Sequence, residues 1–322
     1  PAGVRMLTIG VIVLALGGAA AWWNSAAYAS RVNKDHPAEG RIVDVNGADV
    51  HVLEQGTDGP VVLMIHGASA NAREFTWTLA PRLADTHRVL MVDRPGHGHS
   101  ERPADAATLK VQAAQAAGAL KDLVPGQKAI IVGHSFGGAV SLRLALDYPE
   151  LVDGLVLLAP VSHDWGGGGA AWYNKYAGHP LIGPAFTQLV PIVGPAQVKR
   201  GVTNVFSPKP APEDYFEKSG IGLLFRPSNF SANAKDVNAL RQELAAQQSR
   251  YSEIRVPTVV FSGALDTVIS PPLHVGKLKH QVEDLELVKL ADGGHMPHHA
   301  FGGDVAEIIR RLSDSAQTQA AE

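Results

Sequence analysis

Ala129-Ile130-Ile131-Val132-Gly133-His134-Ser135-Phe136-Gly137-Gly138-Ala139-Val140-Ser141-Leu142 is the stretch that decides the fold. Its first four residues are an unbroken apolar run, the pattern of a strand buried on both faces. Gly138 to Leu142 opens a helix. Between them Gly133-His134-Ser135-Phe136-Gly137 has the form G-x-S-x-G, in the strand-turn-helix setting that gives this motif its meaning. So sharp a turn strains the backbone at its central residue, and the neighbours must be small; the glycines meet that need. The serine hydroxyl is pushed into the open above a helix N-terminus, whose free N–H groups and positive dipole end suit a developing anion. Ser135 is the candidate nucleophile.

Outward from this turn, strands alternate with helices. Arg41 to Val45 and Asp49 to Glu54 flank Asn46-Gly47, a strong hairpin signal. Val61 to Ile65, Val89 to Val92, Leu155 to Leu158, Thr258 to Phe261 and Leu285 to Leu290 supply the remaining strands. Helical stretches fall at about Ala72 to Leu83, Ala104 to Leu123, Gly137 to Asp147, Leu273 to His280 and Asp304 to Leu312, with a frayed tail after Ser313. This order implies a mostly parallel sheet covered on both faces and opened by an antiparallel hairpin. Between Ala159 and Pro257 the rhythm breaks for roughly a hundred residues, far more than a crossover needs. That stretch begins near Gly166-Gly167-Gly168-Gly169 and ends in an amphipathic helix near Ala234 to Gln248. It reads as a helical cap inserted over the C-terminal edge of the sheet, with the glycines as a flexible lead-in.

A serine hydroxyl is a poor nucleophile without a histidine to take its proton, and that histidine needs a carboxylate to fix its tautomer. Among 14 histidines, His295 follows the last strand through Asp292-Gly293-Gly294, just before the terminal helix, and is the candidate base. His298 and His299 stand close by and are expected to face solvent or line a pocket. Asp266 follows the strand Thr258 to Phe261, so it faces the same crevice as Ser135 and is the candidate acid. Asp93, after an earlier strand, is the alternative acid. His97 and His99 form an i, i+2 pair without a third ligand, too little for a metal site.

The order Ser135, Asp266, His295 resembles that of the α/β-hydrolase superfamily, and the likeness runs from about Arg41 to Leu312. His66-Gly67-Ala68 resembles the family's oxyanion loop, and Asp93-Arg94-Pro95-Gly96-His97-Gly98-His99-Ser100 its D-x-P-G-x-G-x-S segment. The resemblance implies an α/β-hydrolase fold with an eight-stranded, mostly parallel sheet. It also implies that the amides of Ala68 and Phe136 form the oxyanion hole. The domain reading is then a core of 30–161 and 251–322 with a cap of 162–250.

Net charge is −3, with no basic block, so nucleic-acid binding is set aside. There is no cysteine, which excludes disulfides, thiolate catalysis and cysteine-bound zinc. Met6 to Trp23 runs about 18 residues without a charge, near the lower limit for crossing a bilayer. Ala27-Tyr28-Ala29 has the small-x-small form of a signal-peptidase site, whereas Trp22 and Trp23 fit the aromatic belt of a retained anchor. Residues 1–29 therefore read as a membrane anchor or signal peptide, followed by a polar linker from Ser30 to Gly40, and the protein as membrane-anchored or exported.

Serine rather than aspartate at position 135 turns the chemistry away from epoxides and alkyl halides and toward acyl transfer. The leading expectation is hydrolysis of an apolar or lipid-like carboxylic ester, as in the membrane-anchored monoacylglycerol-lipase-like esterases the chain resembles. Trp165, Trp172, Phe186, Phe206 and Phe225 are candidate substrate contacts. Carbon–carbon bond hydrolysis, amide cleavage or cofactor-free peroxidation on the same residues is the alternative, and a non-enzymatic binding protein is the reading from another class. No cofactor and no metal are implied.

Overall fold

Asn46 and Gly47 both have positive φ, 56° and 80°, as a two-residue hairpin matching the right-handed strand twist requires. They join β1 (Arg41–Val45) to β2 (Ala48–Gln55), paired from Arg41↔Val52 to Val45↔Ala48. In this computed structural model, which describes residues 2–168 and 171–321, the apolar runs then become β3 (Val61–Ile65), β4 (Arg88–Val92), β5 (Ala129–His134), β6 (Val152–Leu158), β7 (Thr258–Gly263) and β8 (Leu285–Leu290). Among the described residues they form an eight-stranded sheet in the order β1-β2-β4-β3-β5-β6-β7-β8, parallel from β4 onward. β3, β4 and β5 carry almost wholly buried side chains because both faces are covered. The register Ile65↔Gly133 ends β3 and β5 side by side. His66-Gly67-Ala68 therefore lies against the turn that carries Ser135.

The helices are α1 (Ala2–Asp35), α2 (Arg73–Thr76), α3 (Leu109–Leu123), α4 (Phe136–Asp147), α5 (Trp172–Ala177), α6 (Gly183–Phe186), α7 (Val190–Phe206), α8 (Tyr215–Lys218), α9 (Pro227–Gln247), α10 (Pro271–Leu278), α11 (Pro297–Ala300) and α12 (Gly302–Ala321). One apolar cluster packs α3 and α4 on one face of the sheet; a second packs Phe75, Leu79, Leu83 and α12 on the other. The described residues between β6 and β7 contain helices α5 to α9 and no strand. Gly169, the last of the four glycines, lies outside the described residues.

Three local expectations are corrected. The span 72–83 is not one helix: α2 stops at Thr76, and a separate 3-10 turn covers Ala80–Arg82, with Pro81 unable to donate to a preceding turn. The tail after Ser313 is helical through Ala321, secured by Ser313, which is buried and bonded to His87 Nε2 at 3.1 Å. Ser30 to Asp35 is not a linker but the last turns of α1. Ser25, Tyr28 and Val32 are buried at helical spacing against the insertion, with Tyr28 Oη donating to Gly222 O. Val190, Leu223 and Phe225 complete that cluster.

Candidate active site

Ser135 stands between β5 and α4 with φ 52° and ψ −113°, a strained conformation for a residue with a side chain. The surrounding backbone imposes it. Ser135 N donates to Leu158 O on β6, and Ser135 O accepts from Gly138 N and Val161 N. A Cβ at Gly137 would run into the backbone of Ile65, so that position has no room for a side chain.

The loops after β7 and β8 bring the next two candidates together. Asp266 Oδ2 accepts from His295 Nδ1 at 2.8 Å, and both side chains are almost wholly buried. Asp266 Oδ1 accepts from the amides of Val268 and Ile269, so the carboxylate is held in a fixed orientation. With Nδ1 donating to the carboxylate, Nε2 of His295 is left as the basic nitrogen. His134 adds a support not foreseen from the sequence. Its ring, kept neutral by burial with His298 and His295 beside it, donates from Nε2 to His295 O at 2.9 Å and so ties the serine turn to the histidine loop.

Asp93, the alternative acid, is committed elsewhere. It accepts from Ala72 N, His99 N and His51 Nδ1. Burial would raise its carboxyl, but the His51 bond outweighs that and holds it below the usual range. His97 and His99 do not converge on a metal: His99 Nε2 meets His36 O, while His97 turns to Arg94 and Pro95.

His298 and His299 are not solvent-facing. Both Nε2 atoms donate to Oε1 of buried Glu74, and Tyr215 Oη donates to Oε2 at 2.9 Å. By donor type this trio could hold a cation. The carboxylate's needs are already met by two imidazoles and a phenol, so it serves as a buried brace. Burial pulls His298 down to about 4, and it stays neutral. Of the candidate substrate contacts, Phe206 and Phe225 are buried packing residues, Trp172 is largely exposed, and Trp165 is partly buried with its indole N–H on Gly168 O.

Arg94 is the residue that sequence reading missed. It sits in the quoted D-x-P-G-x-G-x-S segment, where only its neighbours stood out. Its side chain is 1% exposed and paired with Asp236 of α9 at 2.8 Å. Burial lowers the guanidinium to about 10, with Asp236 opposing, so it remains charged at neutral pH.

The chain matches the family model for the alpha/beta hydrolase fold over residues 60–300. Together with the sheet order and the serine turn, this places it in the α/β-hydrolase family. It is 26% identical to a 2-hydroxy-6-oxononadienedioate/2-hydroxy-6-oxononatrienedioate hydrolase of a Pseudomonas species, over 78% of this chain and 87% of that one. It is 38% identical to a 2-hydroxymuconate semialdehyde hydrolase of Pseudomonas strain CF600, over 39% of this chain and 44% of the relative. Several of the curated relatives are matched over only 34–44% of their own length. Among solved structures, a bacterial membrane phospholipase A superposes with TM-score 0.69 at 21% identity, covering 97% of this chain and 99% of that one, a likeness of fold.

Proposed function

We propose that this protein hydrolyses carboxylic esters with apolar or lipid-like groups, through an acyl-enzyme on Ser135. The observation that carries the reading is the strained Ser135 turn, tied through His134 to the loop of the buried His295–Asp266 pair. In this mechanism His295 Nε2 takes the proton of Ser135 Oγ as the oxygen attacks the ester carbonyl. Asp266 holds the tautomer and stabilises the imidazolium. The oxyanion is met by the amides of Ala68 and Phe136, each worth about 3 kcal/mol of barrier where water is excluded. The alcohol leaves with the proton from His295, and water activated at the same nitrogen releases the acid.

The lipid-like preference draws support from the molecule's outer surface. Residues Arg5–Asp35 form a helix long and apolar enough to cross a membrane, with mean hydropathy 1.9 over an 18-residue window. Beside its docked end the insertion exposes Leu189, Ile192 and Val193, and Ser25 Oγ contacts Gln188 O. An ester drawn from a bilayer fits that placement. Carbon–carbon hydrolysis of a dienoate ketone is the second reading, favoured by the names of the Pseudomonas relatives.

A fluorophosphonate probe should label the wild-type chain and leave Ser135→Ala unlabelled; persistent labelling of the variant would remove Ser135 from the mechanism. p-Nitrophenyl esters of rising acyl length, assayed beside a monoacylglycerol and a 2-hydroxy-6-oxodienoate, separate the two readings. Turnover of the dienoate alone would favour the second.

A further inference from the structure

A guanidinium carries five N–H donors in a fixed fork, and burying one is costly unless all are matched. Arg94 matches all five. Nε donates to His66 O at 3.2 Å; Nη1 donates to Gln112 Oε1 and to Asp236 Oδ2, both at 2.8 Å; Nη2 donates to Gly67 O and to His97 Nε2, both at 3.2 Å. Its Cζ lies 4.2 Å from the centroid of the Phe136 ring. One buried side chain thus touches Phe136 and the carbonyl of the Gly67–Ala68 peptide, the two places whose amides are assigned to the oxyanion.

The contact with Gly67 O has a directional consequence. In a trans peptide the C=O and the following N–H point in opposite directions. Arg94 N donates to His66 Nε2 at 3.0 Å, so the ring proton is on Nδ1, which donates to Gly67 O at 2.8 Å. Gly67 O is therefore drawn toward Arg94 and His66 by two donors, and the Ala68 N–H is turned the other way. Gly67 borders the nucleophile: a Cβ placed there would stand 3.3 Å from Ser135 Cβ. A cation on the carbonyl of a peptide also polarises it and strengthens its N–H as a donor.

Asp236 adds the link to the insertion. It is fully buried on α9, and its second oxygen takes Arg102 Nη2 at 2.7 Å. Asp236 thus holds two guanidinium groups, Arg94 and Arg102, behind the oxyanion loop. Asn233, one turn earlier on α9, accepts from Ser69 N at 2.7 Å, so the same helix also grips the loop directly.

We propose that Arg94 is the positioning residue of the oxyanion loop, aiming and polarising the Ala68 N–H, and that Asp236 of the inserted helix holds it in that position. Seating of the insertion and assembly of the oxyanion hole are then one event. This rests on the reading of Ser135 as an acyl-transfer nucleophile.

The test compares full-length wild type with Arg94→Lys and Asp236→Asn, using p-nitrophenyl butyrate turnover and inhibition by an alkylboronic acid. The boronic acid adds Ser135 Oγ to boron, with the serine proton passing to His295, and mimics the tetrahedral anion. Lysine keeps the charge and loses the fork, so kcat should fall about 100-fold, the usual effect of losing one oxyanion donor, with KM within about threefold. Boronate affinity should fall by the same factor as kcat/KM, whereas a merely structural role would leave the affinity of the folded fraction unchanged. Asp236→Asn should weaken the boronate about tenfold, and it decides the matter if Arg94→Lys does not fold. Folded variants that bind the boronate like wild type overturn the inference while wild-type turnover and labelling leave the reading of Ser135 standing. A wild-type chain that neither labels nor cleaves any ester overturns both.

Discussion

Two carboxylates end up near the C-terminal edge of the sheet, and their hydrogen bonds give them opposite tasks. Asp266 gives one oxygen to His295 and the other to two amides of its own loop. Asp93 is consumed by Ala72 N, His99 N and His51. Asp266→Asn should therefore leave the fold intact and lower kcat by about 10⁴, because an amide presents the wrong hydrogen-bonding partner to the imidazole. Asp93→Asn should behave in the reverse way. It breaks a buried pair and should cost about 3 kcal/mol of stability, while the folded fraction keeps kcat. Denaturant melts run beside steady-state kinetics on both variants check the assignment, and near-normal turnover in Asp266→Asn would hand the acid's role to Asp93.

At the scale of elements, the strands were legible almost to the residue. Runs such as Val61–Ile65 and Leu285–Leu290 are bounded by turn residues and are too short to be helices. The serine turn was legible for a local reason, since strain and small neighbours are written in adjacent positions. Long-range polar partners were not. Nothing in the sequence pairs Glu74 with His298 and His299, because α2 and α11 are joined only by the packing of distant loops. Arg94 went unread likewise: its partner Asp236 lies 142 residues away. The end of α1 was misread because its polar residues suggest a linker, and only the insertion explains why Tyr28 and Val32 are buried.

These hidden contacts have a pH consequence. Burial holds His298 neutral at about 4, and burial with the Arg94 charge holds His66 at about 3. In the unfolded chain both protonate near 6.5. As pH falls from about 6.5 toward those values the unfolded state binds more protons, so folding stability drops across that window. Each group contributes up to about 1.4 kcal/mol per pH unit. Urea midpoints should fall steadily from pH 7 to pH 4.5, and a flat series would contradict neutral imidazoles at these sites.

For the molecule as a whole, α1 is the element whose two halves have different surroundings. From Met6 to Leu16 its large apolar side chains are exposed, and Trp22 and Trp23 are exposed at the point where the helix leaves the body of the protein. From Ser25 onward it is docked, with Tyr28 and Val32 packed on Val190, Leu223 and Phe225. A cut after Ala29 would thus remove Ser25 and Tyr28, which bond to the insertion, whereas a cut before Asn24 would leave both in place. Under the anchor reading, the full-length chain should partition with membranes, resist extraction by salt and be released by detergent. A chain starting at Asn24 should be soluble and hydrolyse short p-nitrophenyl esters at the full-length rate. A chain starting at Ser30 should also be soluble but lose about 3 kcal/mol of stability, the order expected for deleting a buried aromatic side chain. Equal melting temperatures for the two truncated chains would show that the docked turns contribute nothing, and would restore cleavage after Ala29 as a route to a stable mature protein. A lower melting temperature for the Ser30 chain means that the docked end of α1 is part of the α/β-hydrolase fold.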